Sequence, residues 1–104
     1  MTDAITAAEF TADGGTRHWR VQGDSAVARF TTGSFATGLR LITRIGALAE
    51  SANHHPDVDL RYGTVTVRTS SHDIGGLSRR DLALAREISA AARELSIEAD
   101  QGEL

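Results

Sequence analysis

The feature that most constrains this chain is a long apolar segment, SFATGLRLITRIGALAESAN, that runs through His54 and His55 into the only proline. Apolar and small residues recur in it at helical spacing. One stripe consists of Phe35, Leu39, Ile42, Gly46 and Ala49, and a second stripe beside it consists of Leu41, Ile45 and Leu48. Ser34 is a suitable N-cap, and Pro56 disfavours helical backbone at the residue before it. The segment therefore predicts one helix that ends near Asn53–His55.

The apolar arc of this helix is wider than packing on one sheet face requires. It indicates either deep burial of the helix or contact of one side with another subunit. A glycine in a helix interior costs about 1 kcal/mol relative to alanine. We therefore expect close packing at Gly46.

Two predicted β-hairpins flank the helix. RHWRVQ and SAVARFT surround a turn at Gly23–Asp24, and VDLRY and TVTVRTS surround Gly63. Capping boxes at Thr6–Glu9 and Ser78–Asp81 begin a short helix before them and a longer helix after them. The order α-β-β-α-β-β-α predicts an α+β fold, a four-stranded antiparallel sheet with helices packed on one face.

Length and composition restrict the class of protein. We expect the 104 residues to form a single domain, 1-104, with frayed ends at 1-5 and 97-104. The net charge of -3 argues against a nucleic-acid partner. No apolar run reaches the length of a membrane span, and the N-terminus does not resemble a signal peptide. Cysteine is absent, which is compatible with the cytoplasmic location that we expect.

Histidines are the best candidates for chemistry, because imidazole exchanges protons near neutral pH. His54 and His55 stand where the long helix ends, and His72 stands where the last predicted strand ends. If that helix packs on the sheet, all three line one cleft. The alternatives are that His54 or His55 only caps the helix, and that His72 is a turn residue. His18 has no partner in the sequence pattern and is predicted to be a surface strand residue.

Several other side chains remain open to two interpretations. Glu50 lies one helical turn before His54, so it either orients that imidazole, binds a ligand or is solvated. Asp73 either accepts from ligand N–H groups or is a solvated loop residue. Trp19 and Tyr62 are interpreted as core or cleft wall.

Three histidines could also ligate zinc. The spacings His-x-His and His-x-x-x-His are absent, however, and adjacent histidines rarely aim at one ion. We expect no metal.

Taken together, the motifs E-x-x-N-HHP, TSSH and GLSRRD resemble the pterin-4a-carbinolamine dehydratase family. That family's activity pattern is an acidic residue, three spacers, His-His-Pro, an aromatic, a third histidine and an aspartate. Here it is filled by Glu50, His54, His55, Pro56, Tyr62, His72 and Asp81. The similarity covers roughly residues 19 to 95.

The resemblance implies a lyase that dehydrates 4a-hydroxy-tetrahydropterin to quinonoid dihydropterin and so recycles tetrahydropterin. It implies a homodimer or homotetramer that needs no metal or bound cofactor. By position, His54 and His72 are the acid–base pair, and His55 binds and orients the substrate with a smaller part in proton transfer. The substrate-binding set implied in this way is Glu50, Asn53, Pro56, Ser70, Ser71, Asp73 and Asp81, with backbone groups at Ser71 and His72 pairing with the heterocycle.

Some positions depart from better-known members of that family. Val58 stands where many have tryptophan, Asn53 replaces an aspartate, and Thr31 and Thr32 fall where others carry aromatics. The alternative hypothesis is a catalytically weak pterin-binding or protein-interaction module of the same fold, similar to a dimerisation cofactor. Retention of all three histidines in frame favours the enzyme, because a pure binding module does not need them.

Overall fold

The computed structural model describes residues 3–100 and confirms the predicted α+β order. Its helices and strands are α1 (Ala7–Ala12), β1 (Arg20–Gln22), β2 (Ser25–Thr31), α2 (Phe35–Ala52), β3 (Asp57–Leu60), β4 (Thr64–Thr69), α3 (Arg79–Glu94) and β5 (Glu98–Ala99). Two single 3₁₀ turns lie at Gly14–Thr16 and His72–Ile74. Both predicted capping boxes form, at Thr6–Glu9 and at Ser78–Asp81.

The predicted four strands form one antiparallel sheet in the order β1-β2-β4-β3. The central pair is β2 and β4, which runs from Ala26 opposite Thr69 to Thr31 opposite Thr64. Alternate residues of β2 and β4 contribute to the core beneath α2 and α3, as strand pleating requires. β5 adds a short fifth strand that pairs with the end of β2, where Phe30 lies opposite Ala99.

Aromatic and aliphatic side chains fill the layer between sheet and helices. The indole of Trp19 lies edge-on to the rings of Phe10 and Phe30, with centroids 6.4 and 6.5 Å away. The indole N–H donates to Ser89 Oγ on α3 at 2.9 Å. Trp19 is thus a core residue, as one interpretation predicted, whereas Tyr62 is 75% exposed in the β3–β4 turn and is not.

The packed face of α2 contains Leu41 and Ile45 of the second predicted stripe and Ala49 of the first. The buried residues are Gly38, Leu41, Ile45 and Ala49. Phe35 and Leu39 remain 49% and 50% exposed. The close approach of the helix to the sheet is at Gly38, where an added Cβ would lie 2.7 Å from Leu60 Cδ1. The expectation of close packing at Gly46 is wrong, because a Cβ there would have no atom within 4 Å.

The ends of the chain that were predicted to fray contact the rest of the domain at the residues that the structure describes. The amide of Ile5 donates to the carbonyl of Leu77, and Ala4 forms an isolated bridge with Ser78. At the other end Ile97 is buried, and β5 extends the sheet. Residues 3–5 and 97–100 thus make ordered contacts with the rest of the domain, and positions 1–2 and 101–104 lie outside the described residues. His18 lies in a turn before β1 and not on a strand.

Two alanine substitutions on α2 test this packing. Gly46→Ala should raise the free energy of unfolding by about 0.5–1 kcal/mol, because alanine favours the helix and has open space there. Gly38→Ala should be at least about 1 kcal/mol less stable than Gly46→Ala, because its methyl group displaces Leu60. Urea denaturation monitored by circular dichroism measures both. Equal gains at the two positions would contradict the packing described above.

Candidate active site

The centre of the candidate site is a buried carboxylate at the N-terminus of α3. Asp81 is the third residue of that helix and has no exposed side-chain surface. Its Oδ2 accepts from the backbone amide of Ser78 at 2.9 Å, which is the capping-box bond. Capping therefore explains why an aspartate stands here, but it uses only part of the carboxylate.

The remaining acceptor sites of Asp81 bind side chains from other parts of the chain. Thr69, the last residue of β4, donates from Oγ1 to Oδ1. Ser71 donates from Oγ to Oδ2 at 2.7 Å. His54, which follows α2, places Nε2 2.7 Å from Oδ1. Asp81 thus joins α2, β4 and α3 at one point.

These hydrogen bonds determine the charge of Asp81. Burial alone would raise its pKa, since a carboxylate loses hydration in the interior. The bonds from His54, Thr69, Ser71 and the Ser78 amide stabilise the anion and outweigh burial, so the pKa of Asp81 lies below its ordinary value. The group is therefore ionised at neutral pH.

The end of α2 fixes the position of His54. Asn53 adopts the left-handed conformation with φ of 51°, which asparagine tolerates better than most residues. The amide of Asn53 donates to the carbonyl of Glu50 at 3.2 Å, and that of His54 donates to Ala49 at 3.1 Å. This is the Schellman arrangement that closes many helices. It turns the chain so that the His54 side chain, 10% exposed, meets Asp81.

The contact with Asp81 also determines which nitrogen of His54 is available. Because Asp81 is ionised, the Nε2 atom carries the proton and donates it to the carboxylate. In the neutral ring the lone pair is then on Nδ1. His54 is therefore set up to accept a proton at Nδ1, while the adjacent carboxylate stabilises the positive charge that results.

His55 points to a different partner. Its Nε2 pairs with Glu50 Oε2, and both side chains are largely exposed. Of the alternatives for Glu50, orientation of His54 is not the one observed, because Glu50 pairs with His55 and His54 pairs with Asp81. The two adjacent imidazoles therefore bind separate carboxylates. Among residues 3–100, no group of three or more potential ligand side chains is arranged to hold a metal ion.

His72 lies in an exposed turn next to the Asp81 cluster. The turn is a 3₁₀ segment, His72–Ile74, that ends at Gly75 with φ of 65°. Its stem is closed by two backbone hydrogen bonds between Ser71 and Gly76, at 2.8 and 3.3 Å. Within the described part of the chain the imidazole of His72 has no hydrogen-bond partner, so both ring nitrogens are available to a ligand.

Two residues of the predicted substrate-binding set, Ser71 and Asp81, are buried. Asp81 and the side chain of Ser71 are closed to solvent and satisfied by protein donors and acceptors. The Ser71 backbone is also occupied, by Gly76. These contacts connect both residues to His54 and to the turn that carries His72.

The other predicted positions surround the cluster. Asn53 is exposed at the helix end, and Pro56 follows the histidine pair half-buried. Ser70 is half-buried, and its hydroxyl bonds to none of the described residues. Asp73 is exposed and accepts from Arg80 through both oxygens.

Sequence reasoning missed three residues of the site: Thr69, Ser78 as a hydroxyl partner of Ser71, and Arg80. Residues two apart on an extended strand point to the same side, so the position of Ser71 beside Asp81 predicts that Thr69 also faces Asp81. The Arg80–Asp73 contact had no comparable signal, because it spans a loop of unpredicted shape.

Comparisons with known proteins identify the family of the chain. A family model described as pterin 4 alpha carbinolamine dehydratase matches residues 2–91. A Nocardia farcinica protein provisionally named pterin-4-alpha-carbinolamine dehydratase is 43% identical over 75 residues, which are 72% of this chain and 79% of that protein.

Solved structures show the same fold. A crystal structure described as a transcriptional coactivator/pterin dehydratase from Brucella melitensis has a TM-score of 0.75 at 26% identity and covers 85% of this chain and 97% of its own. A pterin dehydratase-like protein described as a RuBisCO assembly factor in the alpha-carboxysome has a TM-score of 0.59 at 20% identity. It covers 71% of this chain and 86% of its own. The second likeness is one of fold alone.

The lowered pKa of Asp81 predicts how stability changes in acid. Its folded-state pKa lies below the unfolded value of about 3.9. The stabilisation is therefore complete above the unfolded pKa and is lost as pH falls through the folded pKa. Asp81→Asn should be about 2–3 kcal/mol less stable at pH 7, because an amide cannot accept all the same bonds. It should also lose less further stability than wild type between pH 5 and 3.

Urea denaturation at a series of pH values measures this difference. Asp59→Asn, which removes an exposed carboxylate that pairs with Arg61, controls for the loss of one negative charge. Parallel pH profiles for wild type and Asp81→Asn would show that Asp81 does not contribute to the acid dependence.

Proposed function

The chain belongs to the pterin 4 alpha carbinolamine dehydratase family, and we propose that it converts a 4a-hydroxy-tetrahydropterin to the quinonoid dihydropterin and water. The observation that supports this most is the pairing of His54 with a buried, ionised Asp81. It provides an imidazole of fixed orientation whose Nδ1 can accept a proton. A second imidazole, His72, lies on the turn that follows Ser71.

The reaction needs one proton removed and one supplied. As the bond between C4a and the hydroxyl oxygen breaks, N5 loses its proton and the N5–C4a double bond forms. In this proposal His54 Nδ1 takes the N5 proton, and Asp81 stabilises the imidazolium. His72, in its protonated form, donates to the departing hydroxyl, which leaves as water. Exchange with solvent then removes the proton from His54 and returns one to His72, so the reaction requires no metal or bound cofactor.

A positioned acid and base typically contribute about 10²–10⁴-fold to such a step. The uncatalysed loss of water is already feasible, so a contribution of this size is sufficient. In this mechanism the half-buried His54 is the base and the exposed His72 is the acid.

The Glu50–His55 pair is proposed to bind the pterin. Both side chains lie at the end of α2 beside His54 and are largely exposed. A carboxylate can accept from the amino and ring N–H groups of a pterin, and His55 can orient the ring system. Asn53, Pro56, Ser70 and Asp73 are proposed to complete the surface around the substrate.

We also propose that the chain forms a homodimer or homotetramer. Among residues 3–100, four large apolar side chains remain exposed: Phe35, Leu39, Val58 and Tyr62. Phe35 and Leu39 lie one turn apart on α2, and the amides of Thr32 and Gly33 bond to Gly63 beside Tyr62. An apolar surface of this kind commonly marks a protein contact.

In the described part of the chain, no helix is long and apolar enough to cross a bilayer.

The same exposed surface supports the second candidate function, an interaction module of low activity. The Brucella melitensis neighbour is described as both a coactivator and a dehydratase. A protein-binding role predicts that catalysis is dispensable, whereas the dehydratase role predicts that histidine substitutions abolish it. Activity assays therefore separate the two candidates.

Histidine variants test the dehydratase directly. His54→Gln retains an N–H group for Asp81 but removes the base, and His72→Ala removes the acid. Each should lower the catalysed rate by about 10²-fold or more, measured as the decay of 4a-hydroxypterin absorbance.

His18→Ala is the matched control. His18 lies beside Ser89 and Arg93, about 12 Å or more along α3 from Asp81. This variant should retain wild-type activity. A wild-type rate no faster than buffer would rule out the enzyme and favour the interaction module.

A further inference from the structure

The turn that carries His72 is weakly supported by its own packing. No residue of the His72–Ile74 segment is buried, and short exposed turns of this kind move on nanosecond to microsecond timescales. The Ser71–Gly76 bridge fixes only the stem of the turn. A catalytic group on such a segment needs a further restraint to stay at a defined distance from a second catalytic group.

Arg80 supplies a restraint on the far side of His72. Its Nη2 donates to both carboxylate oxygens of Asp73, at 3.0 Å each. Its Nε donates to Asp3 Oδ2 at 3.0 Å. One guanidinium therefore connects the first turn of α3 to the His72 turn and to the segment that precedes α1. These bonds raise the pKa of Arg80 further above its ordinary value, so the cation is permanent.

The two neighbouring residues Arg80 and Asp81 thus bind both sides of the site. Asp81 binds His54 and also Ser71, the residue before His72. Arg80 binds Asp73, the residue after His72. Arg80 and Asp81 belong to one turn of a capped helix, so their backbones move together. The contacts on both sides of the site therefore start from a single helical turn.

We propose that Arg80 is a positioning residue for His72, an inference that rests on the proposed dehydratase function. It acts through Asp73 and does not touch the reacting atoms. In this role Asp73 restrains the turn in addition to any contact it makes with substrate. An arginine suits the position because its planar group can bind two carboxylates at once, whereas lysine offers a single charged point.

The size of the expected effects separates positioning from stability. Partly exposed ion pairs contribute little to folding stability, and Arg80 and Asp73 are both accessible to solvent. Loss of the pair should therefore leave the fold intact. Catalysis is more sensitive, because displacement of a reacting group by about 1 Å can cost about 10²-fold in rate. A large fall in kcat with little change in melting temperature is the signature of positioning.

The experiment compares Arg80→Gln with Arg79→Gln in the full chain. Arg79 is the neighbouring arginine, and its backbone amide donates to the carbonyl of Asp3 at 3.0 Å. Arg80→Gln should lower kcat about tenfold with a smaller change in KM, whereas Arg79→Gln should match wild type. Arg80→Lys should recover part of the loss. Asp3→Asn, which removes only the contact with the N-terminal segment, should keep most of the activity.

Amide hydrogen exchange provides a readout that does not depend on activity. The amides of Ile74 and Gly75 bond to Ser71 and His72 within the turn, and they should exchange faster in Arg80→Gln than in Arg79→Gln. Unchanged exchange, or faster exchange with unchanged kcat, would overturn the inference. An inactive wild type would refute the proposed function instead, and unchanged exchange in that case would still refute the restraint of the turn by Arg80.

Discussion

The carboxylate of Asp81 is the interaction on which the rest of the site depends. A buried charge without partners would be strongly destabilising, so the chain must deliver donors to it from several directions. It does so from the helix cap at Ser78, from the end of β4 at Thr69 and from the end of α2 at His54. Folding and assembly of the site are therefore the same event. The cost of burying the charge is offset only when every one of these elements is in place.

This arrangement explains how adjacent histidines come to have different partners. The left-handed Asn53 ends α2 and Pro56 follows three residues later, and the chain direction changes between them. His54 is directed inward to a buried carboxylate, whereas His55 stays outside with Glu50. The surroundings, rather than the residue type, distinguish a proton acceptor of fixed orientation from a group able to bind a ligand. His72 joins them through the same α3 turn.

Local signals made most of the fold predictable. Both capping boxes, both hairpin turns and the end of α2 are determined by residues close together in sequence, and each is present. Contacts between distant segments were not predictable in the same way. Helical periodicity alone did not reveal whether Gly38 or Gly46 meets the sheet, since that depends on the position of Leu60. Pairing of β5 with β2 and the Arg80–Asp73 contact likewise depend on tertiary structure.

The ring state of His54 tests the central claim most directly. Nitrogen-15 NMR of the histidine side chains distinguishes the two neutral tautomers, and the measurement is made well above the ordinary imidazole pKa of about 6.5. The Asp81 contact predicts a single tautomer for His54, protonated at Nε2 and free at Nδ1, and a mixture in Asp81→Asn. A His54 ring protonated at Nδ1 in the wild-type protein would contradict the account.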